Sequence, residues 1–292
     1  MHMNKYILLV IITALMVFTS CKSKSSSEVT KLNDSIDVYK NSEYTNPLDS
    51  IGHGYPIFYN MYLSVEISTL FKTTNVVYNP ELLNSHSKIS DYITSDQKAL
   101  NVGVYAVDLS YARVFEQFEV AGQYLNSMQM LAQELSIPGD FFQGIVKRFE
   151  ANLDNRDSIV KIANEVYEDV EQHLIENERY ATAALVVLGG WSEAMYIASK
   201  IVMKHPTVDL LERYAEQKYS ISNLIVLLSE HKDNEVVKKH LLKLYEINSK
   251  LQELDYPFTG DNEANMAIIE KNKDKLKKTT ELLIELRSSI VE

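Results

Sequence analysis

The sequence predicts an all-α protein, a multi-helix bundle or an array of antiparallel helical hairpins, and three observations predict it. Glycine and proline are scarce, 9 and 6 in 292 residues, so most of the punctuation that short-stranded folds need is missing. Apolar residues recur at three- and four-residue spacing in segment after segment, most of them opened by a residue suited to capping a helix. Period-two alternation is weak and Asn-Gly turns are absent. Hydrophobic residues make up 46% and charged residues 24%, which supports a packed core and excludes wholesale disorder. A net charge of -11 is a poor match to a nucleic-acid backbone, so no nucleic-acid partner is expected.

Residues 1–20 read as a leader rather than as fold. Lys5 supplies a positive start, Tyr6 to Phe18 is apolar apart from Thr13, and the small Thr19 and Ser20 precede Cys21, the sole cysteine. At 1.5 Å per residue this run spans only about 20 Å, short of a bilayer core of about 30 Å. Phe18-Thr19-Ser20-Cys21 resembles the lipobox of bacterial lipoproteins. The resemblance implies cleavage before Cys21, acylation of its sulfur and N-terminus, and a lipid-anchored protein of the cell envelope. Lys22 stands where an Asp would resemble an inner-membrane retention signal, which points to the outer membrane and leaves the exposed face, periplasmic or external, open. A single thiol can form no internal disulfide, in keeping with an attachment point. Residues 21–50 are rich in Ser, Lys, Asn and Asp and read as a flexible tether, with a reach on the order of 30 Å.

Residues 51–292 are expected to form one helical domain. Ile57 to Lys72 places Ile57, Met61, Val65 and Leu70 near helical spacing. Asn79-Pro80 pairs an N-cap with a proline at the first helical position. Thr94 with Gln97 makes a capping box for a helix to about Gln117. Glu119 to Leu135 follows and stops at Ser136-Ile137-Pro138-Gly139. Helices are then expected over Asp140 to Leu153, Asp157 to Asn177 and Glu178 to Lys204, the last ended by His205-Pro206. Thr207 caps a helix to Ser229, Asp233 caps one to about Leu254, and Asp255 to Gly260 is a loop before a final helix opened by Asp261 or Asn262. Gly103-Val104-Tyr105 resembles Gly189-Gly190-Trp191, which leaves room for one internal duplication.

Chemistry-bearing motifs are few, and no cofactor is expected. The histidines of the domain follow Ser50, Leu83, Val170, Val202, Leu228 and Val237 by three residues, so the Glu-x-x-His pairs of carboxylate-bridged di-iron bundles are missing. Asp169 and His173 lie four apart, with Glu165 and Glu176 near them, and read as an acidic solvated face. The Gly-x-His-x-x-Glu of imelysin-like lipoproteins is absent, as are a nucleophile elbow and a phosphate-binding glycine loop. What stands out is one carboxylate inside each of two apolar helices, Asp108 and Glu193. A buried carboxylate must be paired, hydrogen-bonded or protonated, and Arg113, Arg148 and Arg213 with the phenols of Tyr105, Tyr111 and Tyr196 are the candidate partners. As a ligand site the set is Tyr105, Asp108, Tyr111, Arg113, Trp191, Glu193 and Tyr196, with aromatic walls and orienting acids. As structure, the same acids hold helix register while the glycines allow close crossing. The run Lys271, Lys273, Lys275, Lys277 and Lys278 reads as a solvated face. The functional expectation is a non-enzymatic module on a membrane anchor at Cys21, binding an envelope protein or a small ligand. The alternative is a catalytic or metal-handling site around Asp108 and Glu193.

Overall fold

The computed structural model describes residues 76–137, 144, 147–148, 151, 176–177, 179–254 and 261–292, all within one compact unit, Tyr44–Glu292. The leader, Cys21, the tether, the helix over Ile57 to Lys72, nearly all of the two helices between Asp140 and Asn177, and the loop Asp255 to Gly260 lie outside the described residues. Among the described residues the protein is all-α, as predicted, with seven α-helices and two short 3-10 turns and no strand.

The turns come first, Pro80–Leu82 and His86–Asp91. Asn79 caps the first by accepting a hydrogen bond from the Glu81 N–H, with Pro80 at the first position. Helix α1, Ser95–Val114, opens with the expected capping box: Thr94 Oγ1 accepts from the Gln97 N–H at 3.2 Å and Gln97 Oε1 accepts from the Thr94 N–H at 3.0 Å. It ends three residues before the predicted boundary. Glu116 turns left-handed there, with φ 61°, and the Gln117 N–H reaches back to the Ala112 carbonyl at 2.9 Å. Helix α2, Phe118–Glu134, closes the same way, with Ser136 at φ 60° and the Ile137 N–H on the Ala132 carbonyl at 3.0 Å. Both closures are Schellman turns made without glycine.

Helix α3, Tyr180–Lys204, is the centre of the domain. It is long and apolar enough to cross a membrane, yet 83% of its most apolar window is buried by the rest of the chain. Helices α1 and α7 pack along it, and α2 lies on α1. The helix predicted from Thr207 to Ser229 is divided at Glu216 into α4, Val208–Ala215, and α5, Gln217–Ser229. The Gln217 side-chain amide donates to the Arg213 carbonyl at 3.1 Å, occupying the acceptor on which a continuous helix would place the Gln217 N–H.

Helix α6, Glu235–Gln252, is capped by Asn234 and not by Asp233. Asn234 Oδ1 accepts from Val236 and Val237 N–H while its Nδ2 donates to Asp96 Oδ2 at 3.3 Å. An amide can do both where an ionised carboxylate only accepts, and the bond ties α6 to the first turn of α1. Helix α7, Asn262–Val291, is capped by Asp261, and α6 packs between α5 and α7.

The α1–α3 crossing is set by glycines. A Cβ on Gly103 would stand 2.0 Å from the Val186 carbonyl oxygen, and one on Gly189 would stand 1.9 Å from that of Leu100. The two similar glycine segments therefore meet each other, and close backbone approach explains their likeness without a duplication.

Candidate functional site

Residues 79–92, called the strap below, run along α1 from its C-terminal end back to its start. The strap is held through its backbone. The Asn79 N–H donates to Tyr111 Oη at 3.2 Å and the Asn84 N–H to Asp108 Oδ2 at 3.1 Å. Its carbonyls accept from the helices: Leu82 from Arg287 Nη2 at 3.3 Å, Asn84 from Tyr124 Oη at 2.8 Å, Ser85 from Tyr105 Oη at 2.9 Å and His86 from Ser127 Oγ at 3.1 Å. Main-chain groups without a helix or sheet of their own need partners when buried. Polar side chains of α1, α2 and α7 supply them.

Side chains of the strap add a second set of contacts. The buried Asn84 amide donates to Tyr92 Oη at 2.8 Å and to Asn101 Oδ1 at 3.3 Å. Asn101 in turn donates to the Ile290 carbonyl at 3.0 Å, and Lys88 Nζ donates to the Val291 carbonyl at 3.1 Å. The last turn of α7 is thereby satisfied by the strap and α1. Rings close the remaining space: Tyr105 packs against Tyr92 and Tyr124, His86 meets Tyr124 edge to face, and Tyr78, Tyr111 and Phe115 form a cluster at the strap's entry.

Beneath the strap lie the two acids. Asp108 and Glu193 are both 0% exposed, as their apolar surroundings in sequence suggested. Arg287 meets Glu193 with two bonds, Nε to Oε2 at 2.7 Å and Nη2 to Oε1 at 2.9 Å, a bidentate geometry that Arg alone can offer. Its guanidinium lies 4.3 Å from the centre of the Tyr196 ring, within cation–π range. Burial pushes the Asp108 carboxyl well above the ordinary carboxylate range, and the neighbouring Glu193 adds to this. Burial also raises Glu193, against the pull of Arg287. Burial alone would lower the Arg287 guanidinium, but Glu193 beside it reverses the sign and raises it. The Tyr105 and Tyr124 phenols are raised, chiefly by burial.

Of the residues singled out in sequence, Asp108, Glu193 and Tyr196 are brought together, and Tyr105 and Tyr111 sit on the same side of α1 under the strap. Trp191 is placed elsewhere: its indole N–H donates to Ser220 Oγ on α5 at 2.9 Å. The guanidinium on Glu193 belongs to Arg287, a correction to the expected Arg113, Arg148 or Arg213. Arg113 lies half-buried at the end of α1, where burial lowers its guanidinium. Arg148 is exposed, and Arg213 pairs with Glu216 at 2.9 Å. Sequence reading missed Arg287, Asn84 and Tyr124. One signal for Arg287 was present, since it is the only arginine in a final helix otherwise supplied with lysines.

Among the described residues no group of three or more His, Cys, Asp or Glu is placed to hold a metal ion. Asp169 and His173 lie outside them. In the lysine run, Lys273 pairs with Glu270 at 3.5 Å and Lys275 donates to the Glu253 carbonyl at 2.6 Å. No family model, curated protein or solved structure matches the chain.

Proposed function

We propose that this chain is a lipid-anchored protein of the bacterial cell envelope, held at the outer membrane through acylated Cys21, whose helical domain is a binding module for an envelope protein or a small ligand. The observation that carries the reading is the sole cysteine placed directly after a short apolar run and two small residues. Two or three acyl chains, at about 0.8 kcal/mol per buried methylene, give a stable anchor where one chain would not. Binding in preference to catalysis is supported by the way the candidate acids are engaged. Glu193 is held by Arg287, Asp108 accepts from the Asn84 backbone, and Tyr105, Tyr111 and Tyr124 hold the strap. Nothing in that arrangement favours a catalytic or metal-handling role for the pair.

Mass spectrometry of native material tests the anchor. The expected N-terminal peptide begins at a Cys21 carrying acyl chains, and Cys21→Ser moves the protein from the membrane fraction to the soluble one. An uncut leader or an unmodified thiol removes the envelope assignment. For the binding role, Glu193→Gln separates scaffold from site. A lowered melting temperature with an unchanged set of co-purifying envelope proteins, taken from membrane solubilised with the lipid intact, marks Glu193 as scaffold. Loss of that set from a variant that melts normally marks it as part of the site.

A further inference from the structure

The cluster under the strap holds two acids and one cation. Among the described residues the other titratable groups that face Asp108 are phenols, neutral at pH 7: Tyr78 from the strap's entry, Tyr92 from its exit, Tyr105 on α1, Tyr124 on α2 and Tyr196 on α3. With both acids ionised the cluster would carry a net negative charge in a place closed to water, a costly state. The hydrogen bonds show where a proton belongs. Both oxygens of Glu193 take N–H groups of Arg287, and Asp108 Oδ2 takes the Asn84 N–H. Asp108 Oδ1 is buried and receives no donor, and the Glu193 carboxyl is a neighbour close enough to share a hydrogen bond with Asp108. A protonated Oδ1 needs no donor; it is one.

We propose that the strap is a proton-operated latch: a proton on Asp108, donated to Glu193, keeps residues 79–91 seated on the helices, and loss of that proton as pH rises releases them. The strap's Asn84 N–H sits on the Asp108 carboxyl, so its departure leaves that oxygen to water, which an ionised carboxylate requires. With the strap seated, burial and the Glu193 charge make Asp108 hold its proton far above the ordinary range. With it lifted, Asp108 regains water and ionises at lower pH. Opening therefore releases up to one proton, and the opening constant rises with pH between those two ranges, by at most tenfold per unit. The latch is tightest in acid and loosens with alkalinity. This inference is independent of the lipid anchor.

Hydrogen-exchange mass spectrometry of the mature protein from about pH 5 to about pH 9, corrected for intrinsic exchange, reads the opening constant of the strap peptide. The expected result is an opening constant over residues 79–91 that rises with pH, by at most tenfold per unit, with no such rise over α3. Asp108→Asn keeps an acceptor for Asn84 and puts an N–H donor toward Glu193, so it should hold the strap shut with no slope. Infrared spectroscopy at neutral pH should show a buried carboxylic-acid band that Asp108→Asn removes. A flat wild-type profile, a missing acid band, or the wild-type slope persisting in Asp108→Asn would overturn the latch. Should that variant fail to fold, the wild-type slope and band decide the matter alone.

Discussion

On the side of α1 that meets α3, main chain lies on main chain: Gly103 faces the Val186 carbonyl and Leu100 faces Gly189. On the side that meets the strap, Asn101, Tyr105, Asp108 and Tyr111 reach out with amide, phenol and carboxyl groups. The first joint is steric. At the glycines it holds by shape, and it has no room for a methyl group on Gly103 or Gly189. The second joint is polar. Its energy depends on every donor meeting an acceptor and on the charge state of one buried pair, so it can respond to conditions that leave the first untouched.

The largest effect is expected where Glu193 loses its cation. Arg287→Leu leaves Glu193 buried without a counter-charge and the Leu82 carbonyl without its donor. A cost of about 3–5 kcal/mol in urea unfolding is expected. The loss should shrink in acid, where Glu193 takes up a proton, and grow as pH rises through the raised range of that carboxyl. Arg287→Lys keeps the charge but forfeits the two-point contact, so it should recover only part of the stability. A pH-independent loss in Arg287→Leu would show that shape, not charge, dominates on this side as well.

Next in size is the steric joint. A Cβ on Gly189 would stand 1.9 Å from the Leu100 carbonyl oxygen, whereas the nearest atom to one on Gly190, the Gly103 carbonyl oxygen, is 3.5 Å away. Gly189→Ala must push two helix backbones apart, at roughly 1–3 kcal/mol. Gly190→Ala makes an ordinary contact and should lie within about 1 kcal/mol of wild type. Urea midpoints of the two variants, at two pH values, measure the difference and its expected independence of pH. Equal midpoints would mean that α1 and α3 can shift freely, and the contrast between the two joints would fail.

A more local effect belongs to Tyr124→Phe. The ring still packs against Tyr105, but the Asn84 carbonyl loses its donor at 2.8 Å. An unsatisfied buried acceptor costs about 1–3 kcal/mol. The loss should appear as faster exchange over residues 79–91 with little change across α1 and α3. Faster exchange spread over all three would show that the strap and the core open as one unit.

The steric joint was open to sequence reading and the polar joint largely was not, for physical reasons. Capping boxes, proline at a first turn, and glycines in an apolar helix act over a few residues, so Thr94, Asn79-Pro80, Gly103 and Gly189 could be picked out locally. Buried acids could also be marked, because Asp108 and Glu193 had no polar face to occupy. Their partner could not be. Arg287 lies 94 residues from Glu193 in sequence, and only the packing of α7 on α3 brings them together. The strap's own polar residues, Asn84-Ser85-His86-Ser87, carry no motif that marks them in sequence. One usable pattern went unread: Asn101, Tyr105, Asp108 and Tyr111 follow one another at steps of four, three and three, a polar stripe on an apolar helix that asks for a polar partner. The left-handed turn at Glu116 and the division at Glu216 carried no glycine or proline signal, whereas the turn at Ser136 was marked by Pro138-Gly139 just beyond it.

The same chemical change with the opposite sign gives the smallest effect. Gly122 sits exposed within α2, and a Cβ there would meet nothing within 4 Å. Glycine inside a helix keeps conformational freedom in the unfolded chain and offers nothing in return unless something approaches it closely. Gly122→Ala should therefore stabilise the protein by about 0.5–1 kcal/mol, where Gly189→Ala destabilises it. Since Gly122 touches neither joint, its gain should add to the loss at Gly189 in the double variant. Thermal unfolding of both single variants and the double checks the sign and the additivity. A loss at Gly122 would mean that another part of the chain lies against that face of α2.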